Sequence, residues 1–223
     1  MSFFIHPIME QSFALIDKEI GEHNFSSAEY AIVRRVIHST ADFDFKHLIQ
    51  FSPEAIEAGI TALRRCVPIV TDVGMVKQGV AGLVASTFGN LLMSAVERAS
   101  VALPGKTRTE TGLLQCWEQV PEAIFVIGNA PTALLALCAE LPVAAPEAAV
   151  GTPHASSILP ALVIGAPVGF ISVLESKAAL AHTPVNQIRV EGRKGGSSVA
   201  AAILNALIVL AWEEETEGAG MLI

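Results

Sequence analysis

The run Ala123-Ile124-Phe125-Val126-Ile127, leading into Gly128-Asn129-Ala130-Pro131-Thr132, decides how this chain folds. A short stretch of apolar residues that stops at glycine and polar residues reads as a buried strand feeding a loop. Three more stretches read the same way: Val67–Thr71 into Asp72-Val73-Gly74, Val168–Val173 into Glu175-Ser176-Lys177, and Gln187–Val190 into Glu191-Gly192-Arg193. Helical segments separate them, the pattern of successive βαβ units. The expected fold is therefore α/β: a mostly parallel, doubly wound sheet with Rossmann-like layers, flanked by helices. In such sheets ligands bind beyond the carboxyl ends of the strands, so the four loops should line one crevice.

Composition agrees. Of the 223 residues 52% are hydrophobic and only 16% charged, with few aromatics, which suits a sheet covered on both faces. The length fits one domain over 1–223. A mean hydropathy of +0.52 raises the question of a membrane span. The uncharged stretch Ala155–Leu174 is interrupted by Pro160, Gly165, Pro167 and Gly169, and Val199–Trp212 is shorter than the roughly 20 residues a span needs. No membrane partner is expected, and the N-terminus lacks a basic, then apolar, leader, so the expected location is the cytoplasm. Cys66, Cys116 and Cys138 are too few and too scattered for a disulfide framework, and are expected as buried free thiols.

Ahead of the first strand the chain is helical. Ile8, Phe13, Ile16 and Ile20 recur at near-helical spacing and place Ser12 within a first helix ending near Gly21. Ser26-Ser27 with Glu29 signals the start of a second, with Ile32, Val33, Val36 and Ile37 on one face, Arg34 and Arg35 beside them and His38 at its end. Asp42 and Asp44 follow in a loop, and Pro53-Glu54 opens a third helix that reaches Arg64-Arg65. At the other end, 212–223 form an acidic tail expected to fray.

The loop Gly192-Arg193-Lys194-Gly195-Gly196-Ser197 runs straight into the apolar helix from Val199. Two cations, two glycines and a hydroxyl at a helix N-terminus suit an anion, because free N–H groups and the positive end of the helix dipole point there. With a net charge of −8, the protein must concentrate its 14 basic residues to attract a polyanion, and no nucleic-acid partner is expected. The opposing reading makes Gly195-Gly196 a tight turn and leaves both cations solvated; the convergence of the other strand-end loops favours the binding reading.

Several chemistries lack their motif. Pro104-Gly105-Lys106-Thr107 resembles the end of a P-loop, but Ser100 stands where the first glycine belongs. Gly128 does not open a dinucleotide fingerprint. No nucleophile elbow is present, and the six histidines form no ligand-spaced pair better than His38 with Asp42. What remains is an anion-binding crevice with a histidine between Arg34-Arg35 and Asp42, a setting that can tune an imidazole for acid/base work on an acidic small molecule.

At this point the sequence resembles the precorrin-8X methylmutases and cobalt-precorrin-8 methylmutases of cobalamin biosynthesis. The resemblance covers nearly the whole chain. It rests on Gln11-Ser12-Phe13, Arg35-Val36-Ile37-His38, Asp72-Val73-Gly74-Met75-Val76, Thr107-Arg108, Gly128 to Leu134, Gly165-Ala166-Pro167-Val168-Gly169-Phe170, Glu175-Ser176-Lys177 and the Arg-Lys-Gly-Gly-Ser loop, all in this order. It implies an isomerase that moves a methyl group from C-11 to C-12 of a corrin-ring precursor by a 1,5-sigmatropic shift, with no cofactor of its own; cobalt, where present, belongs to the substrate. The family's catalytic histidine falls on His38, as proton donor to the ring. Ser12, Arg35 and Arg108 would contact substrate. The acetate and propionate arms of such a macrocycle account for basic clusters in an acidic protein, with Arg193, Lys194, Gly195, Gly196 and Ser197 as carboxylate-binding groups and Asn129 and Thr132 as hydrogen-bond donors.

Two local features qualify the resemblance. Ser39-Thr40-Ala41 leans toward the cobalt-dependent branch, and Thr109-Glu110-Thr111 stands where small apolar residues are expected, which puts the packing near Arg108 in question. Glu175 and Lys177 read equally well as a structural ion pair. A macrocycle is large for one such domain, so a homodimer with the site near its interface is expected. Two alternatives stay open at this level: a tetrapyrrole carrier without chemistry, and a nucleotide-binding α/β enzyme using Gly105-Lys106-Thr107.

Overall fold

The computed structural model describes residues 6–142 and 158–220, excepting the side chains of 217–220; His154 and the first residues of the Ala155–Leu174 stretch lie outside the described residues. In chain order the elements are α1 (Pro7–Glu19), α2 (Ser27–Thr40), α3 (Phe45–Leu48), β1 (Ile49–Phe51), α4 (Ala55–Arg64), β2 (Ile69–Thr71), α5 (Gly74–Ser86), β3 (Leu92–Ser94), α6 (Ala95–Arg98), α7 (Arg108–Gln119), β4 (Ile124–Ile127), α8 (Pro131–Glu140), β5 (Leu162–Gly165), α9 (Val173–Ala181), β6 (Gln187–Val190) and α10 (Ser197–Gly220). The strands form one six-stranded sheet ordered β1-β6-β5-β4-β2-β3. All neighbours are parallel except β1, which pairs antiparallel with β6, Gln50 opposite Arg189.

Burial on both faces explains why the strands read as continuous apolar runs. Along β4, Ile124 and Val126 face a core shared with α1, α2, α4, α5 and α10, while Phe125 and Ile127 face a second core with α7 and α8. All four are fully buried.

Helix α2 forms where its sequence signals it. Ser26 accepts from the Glu29 N–H while Glu29 returns a bond to the Ser26 N–H at 2.8 Å, a capping box worth about 1 kcal/mol. Ile32, Val33, Val36 and Ile37 are buried, and the helix stops at Ala41, which is left-handed at φ 53°. His38 is thereby placed in the last turn.

The expected strand at Val168–Val173 is overturned. Residues 168–172 form an irregular segment with Phe170 and Ile171 more than 80% exposed, Val173 opens α9, and the strand is Leu162–Gly165 upstream. Pro167 and the left-handed Ser172 (φ 58°) keep the later segment out of the ladder. Glu175-Ser176-Lys177 accordingly lies on α9 rather than in a strand-end loop.

The acidic tail is also corrected. Helix α10 runs 24 residues, and Arg64 pairs with Glu214 at 3.0 Å and Glu215 at 3.4 Å, so the helix continues through Glu213-Glu214-Glu215. This extension makes Ser197–Thr216 long and apolar enough to cross a membrane, with a mean hydropathy of 1.4. Its apolar residues nevertheless lie in the core: Val199, Ala200, Ile203, Leu204, Leu207 and Ala211 are fully buried, packed with α2, α4 and α5. Of the cysteines Cys116 is buried, but Cys66 is exposed, against expectation.

Candidate active site

The carboxyl ends of β2, β4, β5 and β6 open onto one edge of the sheet, and the loops that follow are held largely by main-chain atoms. Asp72, fully buried just after β2, accepts from its neighbour Val73 N–H at 2.9 Å and, across the sheet, from Asn129 N–H at 2.6 Å and Ala130 N–H at 2.7 Å. Burial raises its carboxyl above the ordinary range, and the backbone donors, Gly128 among them, oppose that shift. The loop carrying Asn129 and Thr132 is fixed in this way. Gly128 itself lies so close to α10 that a Cβ there would come within 2.9 Å of both Ser197 Cα and Ala200 Cβ. Only glycine permits that approach, which joins the β4 loop to the start of α10.

The Arg193–Ser197 loop docks on the residues after β5. Gly196 N–H donates to Ala166 O at 2.8 Å, and Gly169 N–H to Arg193 O at 3.3 Å. Gly195 has φ +151°, and a Cβ on it would lie 2.3 Å from Ala166 O. The Gly196 amide, expected among the free anion donors, is therefore engaged inside the loop. Gly196 O accepts from Ala200 N–H, so Gly196 caps α10 and Ser197 is its first residue. The Arg193 guanidinium stands 5.8 Å from the Phe170 ring centroid.

Lys194 is not a free cation. Its Nζ lies 2.6 Å from Asp42 Oδ2 and 2.6 Å from Asp44 Oδ2. These contacts hold the Asp42 carboxyl below, and the Lys194 ammonium above, their ordinary ranges. They also tie the rim to the turn just after His38.

His38 is half-buried, its ring edge-on to Phe13 with centroids 5.3 Å apart. Its imidazole is held below the ordinary value, by burial first and by the Arg35 charge second. Burial likewise lowers Arg35, whose Nη1 contacts Met9 Sδ at 3.2 Å. Arg34 is directed elsewhere: it pairs with Asp17 at 3.2 Å and lies 4.4 Å from the Phe13 ring centroid. Ser12, on α1 beside Phe13, turns its hydroxyl onto Ile8 O at 2.8 Å. A cavity of about 230 Å³ opens next to this group, lined by Met9, Phe13, Arg35, Leu83, Asn205 and Leu210 among others.

Arg108 opens α7, and its guanidinium donates to Val96 O at 3.0 Å through Nη2. The departure at Thr109-Glu110-Thr111 has a local cause. Glu110 completes a capping box with Thr107, and buried Thr111 accepts from Leu103 N–H at 3.0 Å and donates to Thr107 O. The P-loop-like Lys106 pairs with Glu110 at 2.6 Å. Thr107 Oγ1 lies 3.1 Å from Thr132 Oγ1, which brings the Arg108 turn beside the Asn129–Thr132 loop.

The sequence-derived candidates thus fall into three groups whose elements are tied to one another: Ser12, Arg35 and His38; Arg193 to Ser197; and Arg108, Asn129 and Thr132. The links are Lys194 with Asp42 and Asp44, Gly128 against Ser197, and Thr107 with Thr132. Asp72 and Lys177 escaped sequence reasoning as organisers of the site. Lys177 does not pair with Glu175; it is buried, and its Nζ bonds the Gly192 and Lys194 carbonyls. The available signal was a charged residue inside an apolar context at each position.

Comparison with known proteins bears on this geometry. The precorrin-8X methylmutase family model matches residues 7–210. A cobalt-precorrin-8 methylmutase of Synechocystis sp. is 56% identical over 94% of this chain and 97% of its own length. A precorrin-8X methylmutase of Sinorhizobium sp. is 33% identical over 90% and 92%. The crystal structure of precorrin-8x methyl mutase from Thermus thermophilus superposes with a TM-score of 0.80 at 40% identity, covering 94% of this chain and 99% of that one. The chain belongs to the precorrin-8X methylmutase family, isomerases of cobalamin biosynthesis.

Proposed function

We propose that the chain catalyses migration of the C-11 methyl group to C-12 of cobalt-precorrin-8 or precorrin-8X, with His38 as the general acid that protonates the ring. The carrying observation is the setting of His38: half-buried at the end of α2, against Phe13, with an imidazole depressed by burial and by Arg35. A depressed imidazole is a stronger acid when protonated, which suits delivery of a proton to a weakly basic ring. Substrate carboxylates near Arg35 offset its charge and raise the imidazole toward its ordinary value, so binding and proton uptake are coupled. Once the ring is protonated, the methyl group moves with its bonding pair. The reaction is an isomerisation, so the proton delivered by His38 is recovered when the product forms.

The macrocycle is held by its arms. Arg35 and Ser12 engage it beside the acid, Arg108, Asn129 and Thr132 from the α7 and β4 side, and Arg193 and the free loop amides from the β6 side, while Lys194 stays paired with Asp42 and Asp44. Holding it there fixes the migrating methyl against the receiving carbon and keeps water from the protonated ring. No cofactor is required of the protein, and cobalt, where present, arrives in the substrate. The cavity of about 230 Å³ lined by Phe13 and Arg35 is small for a corrin. Exposed Phe170, Ile171 and Met75 border the same edge. Both points support a homodimer in which a second copy completes the enclosure. Light scattering at micromolar concentration tests that assembly, and a monomer contradicts it.

The deciding experiment is the visible spectrum of the purified protein with precorrin-8X and, separately, with cobalt-precorrin-8. A corrin-type spectrum establishes the methyl shift, and the faster substrate names the branch; the Ser39-Thr40-Ala41 segment favours the cobalt form. Binding of both without spectral change leaves a carrier instead.

A further inference from the structure

One buried cation takes no part in the chemistry above. Lys177, on α9, is 1% exposed, and its Nζ donates to Gly192 O at 2.7 Å and to Lys194 O at 2.8 Å. Among the described residues it has no carboxylate within ion-pair distance; Glu191, which acts on it from farther away, is held by Arg189 Nε at 2.8 Å. An ammonium buried among neutral acceptors is unfavourable unless its hydrogen bonds are well made. Here both point at the same short loop, the one that carries the rim cations.

Peptide geometry gives these two bonds a consequence. In a trans peptide the carbonyl of one residue and the N–H of the next point to opposite sides of the chain, and the described chain has no cis bond. Drawing the Gly192 and Lys194 carbonyls inward to Lys177 therefore turns the Arg193 and Gly195 N–H groups outward. Neither donates to an acceptor among the described residues, whereas the Arg193 carbonyl receives Gly169 N–H and the Gly196 N–H reaches Ala166 O. The ammonium sits at the negative end of both peptide dipoles. An anion at their outer end is attracted by the two N–H groups and by the fixed positive charge behind them.

We propose that Lys177 is a positioning residue for substrate binding, fixing the Arg193 and Gly195 amides as a two-donor receptor for one carboxylate arm of the macrocycle. The inference rests on the reading of this rim as the substrate site. It also distinguishes the adjacent glycines: Gly195 presents its amide to the ligand, while Gly196 locks the loop to Ala166.

The test is amide NMR of ¹⁵N-labelled full-length protein titrated with cobyrinic acid, with its neutral heptamethyl ester and with citrate, alongside steady-state kinetics. Cobyrinic acid is expected to move the Arg193 and Gly195 amides downfield and to leave Gly196 nearly still; the ester moves none of them. In Lys177→Met those shifts vanish and KM rises about tenfold, with kcat at saturation changed by less than about threefold. Lys177→Gln, which keeps two N–H donors without the charge, serves where Lys177→Met does not fold. A variant that loses kcat while its amides still respond overturns the proposal. So do Arg193 and Gly195 amides that ignore cobyrinic acid in wild-type protein that turns substrate over, an outcome that leaves the methyl shift standing. Wild-type amides that respond to citrate in a protein that converts neither macrocycle remove the methyl shift and retain the receptor.

Discussion

Lys194 and Asp42 stand 152 residues apart in the chain and meet in a 2.6 Å ion pair. The contact fastens the turn that ends the His38 helix to the loop that opens α10, with Asp44 making a second bond to the same ammonium at 2.6 Å. One cation faces two carboxylates, so an incoming anionic arm meets a cluster that is net negative.

Replacing both carboxylates, Asp42→Asn with Asp44→Asn, is expected to tighten binding of cobyrinic acid several-fold, on the order of tenfold at low ionic strength, with the gain shrinking as salt is added. The affinity is read by fluorescence or absorbance titration at two salt concentrations. Weaker binding at both would assign the aspartates to orienting Lys194 rather than to competing for it.

His38 gives a pH dependence with a definite sign. Its folded-state value lies below that of the unfolded chain, near 6.5. The unfolded state therefore takes up the proton first, and the fold loses stability as pH falls from about 6.5 toward the depressed value. His38→Asn is expected to flatten that window in urea denaturation measured from pH 5 to 8. If His38 is the acid, the basic limb of kcat/KM, set by the free enzyme, is expected below about 6.5, and the limb of kcat is expected higher because bound carboxylates offset the Arg35 charge. Coincident limbs would remove the coupling between binding and protonation.

His38→Ala is expected to abolish turnover while keeping tight binding of the corrin product, measured by retained colour on gel filtration. Loss of product binding together with activity would make His38 structural.

Asp72→Asn replaces an acceptor-only carboxylate, facing several backbone donors, with an amide that has hydrogens of its own. The expected loss is about 2–4 kcal/mol of unfolding free energy, since buried N–H groups are left without an acceptor. Urea denaturation gives the number, and an unchanged midpoint would mean that the β4 loop holds its shape without the charge.

Gly195→Ala places a methyl group 2.3 Å from Ala166 O at a φ of +151°. The loop must move, at a strain of about 1–3 kcal/mol. The expected result is a folded protein with a KM raised about tenfold or more and a displaced Arg193 in its crystal structure; normal KM would show that the loop adapts without cost to binding.

The parallel sheet was legible in sequence because buried strands such as Ile124–Ile127 carry an unbroken apolar pattern, and α2 because its cap and its buried stripe are both local signals. Three-residue strands such as β1 and β3 carry too little pattern to read. The error at Val168–Val173 has a different origin. Val168, Phe170 and Ile171 sit on the surface there, and the sequence does not distinguish an exposed apolar edge from a buried strand. At the site, His38 and Arg35 were legible as a motif on one helix. The partnership of Lys194 with Asp42 and Asp44, and the inward turn of Lys177, depend on contacts between distant segments that no local pattern encodes.

The rim is pinned by Asp72 on backbone amides, by Lys177 on backbone carbonyls and by Ala166 O on Gly196. None of these ties uses the side chains of Asn129 or Arg193, whereas Thr132 bonds Thr107 across to α7. The wall of the crevice is therefore independent of part of its furnishing: residues at positions 129 and 193 can be exchanged to accept a different pattern of arms, such as one in which some acids have become amides, without loosening the loops that present them. A panel of substitutions at Asn129 and Arg193 should spread widely in macrocycle preference and narrowly in melting temperature.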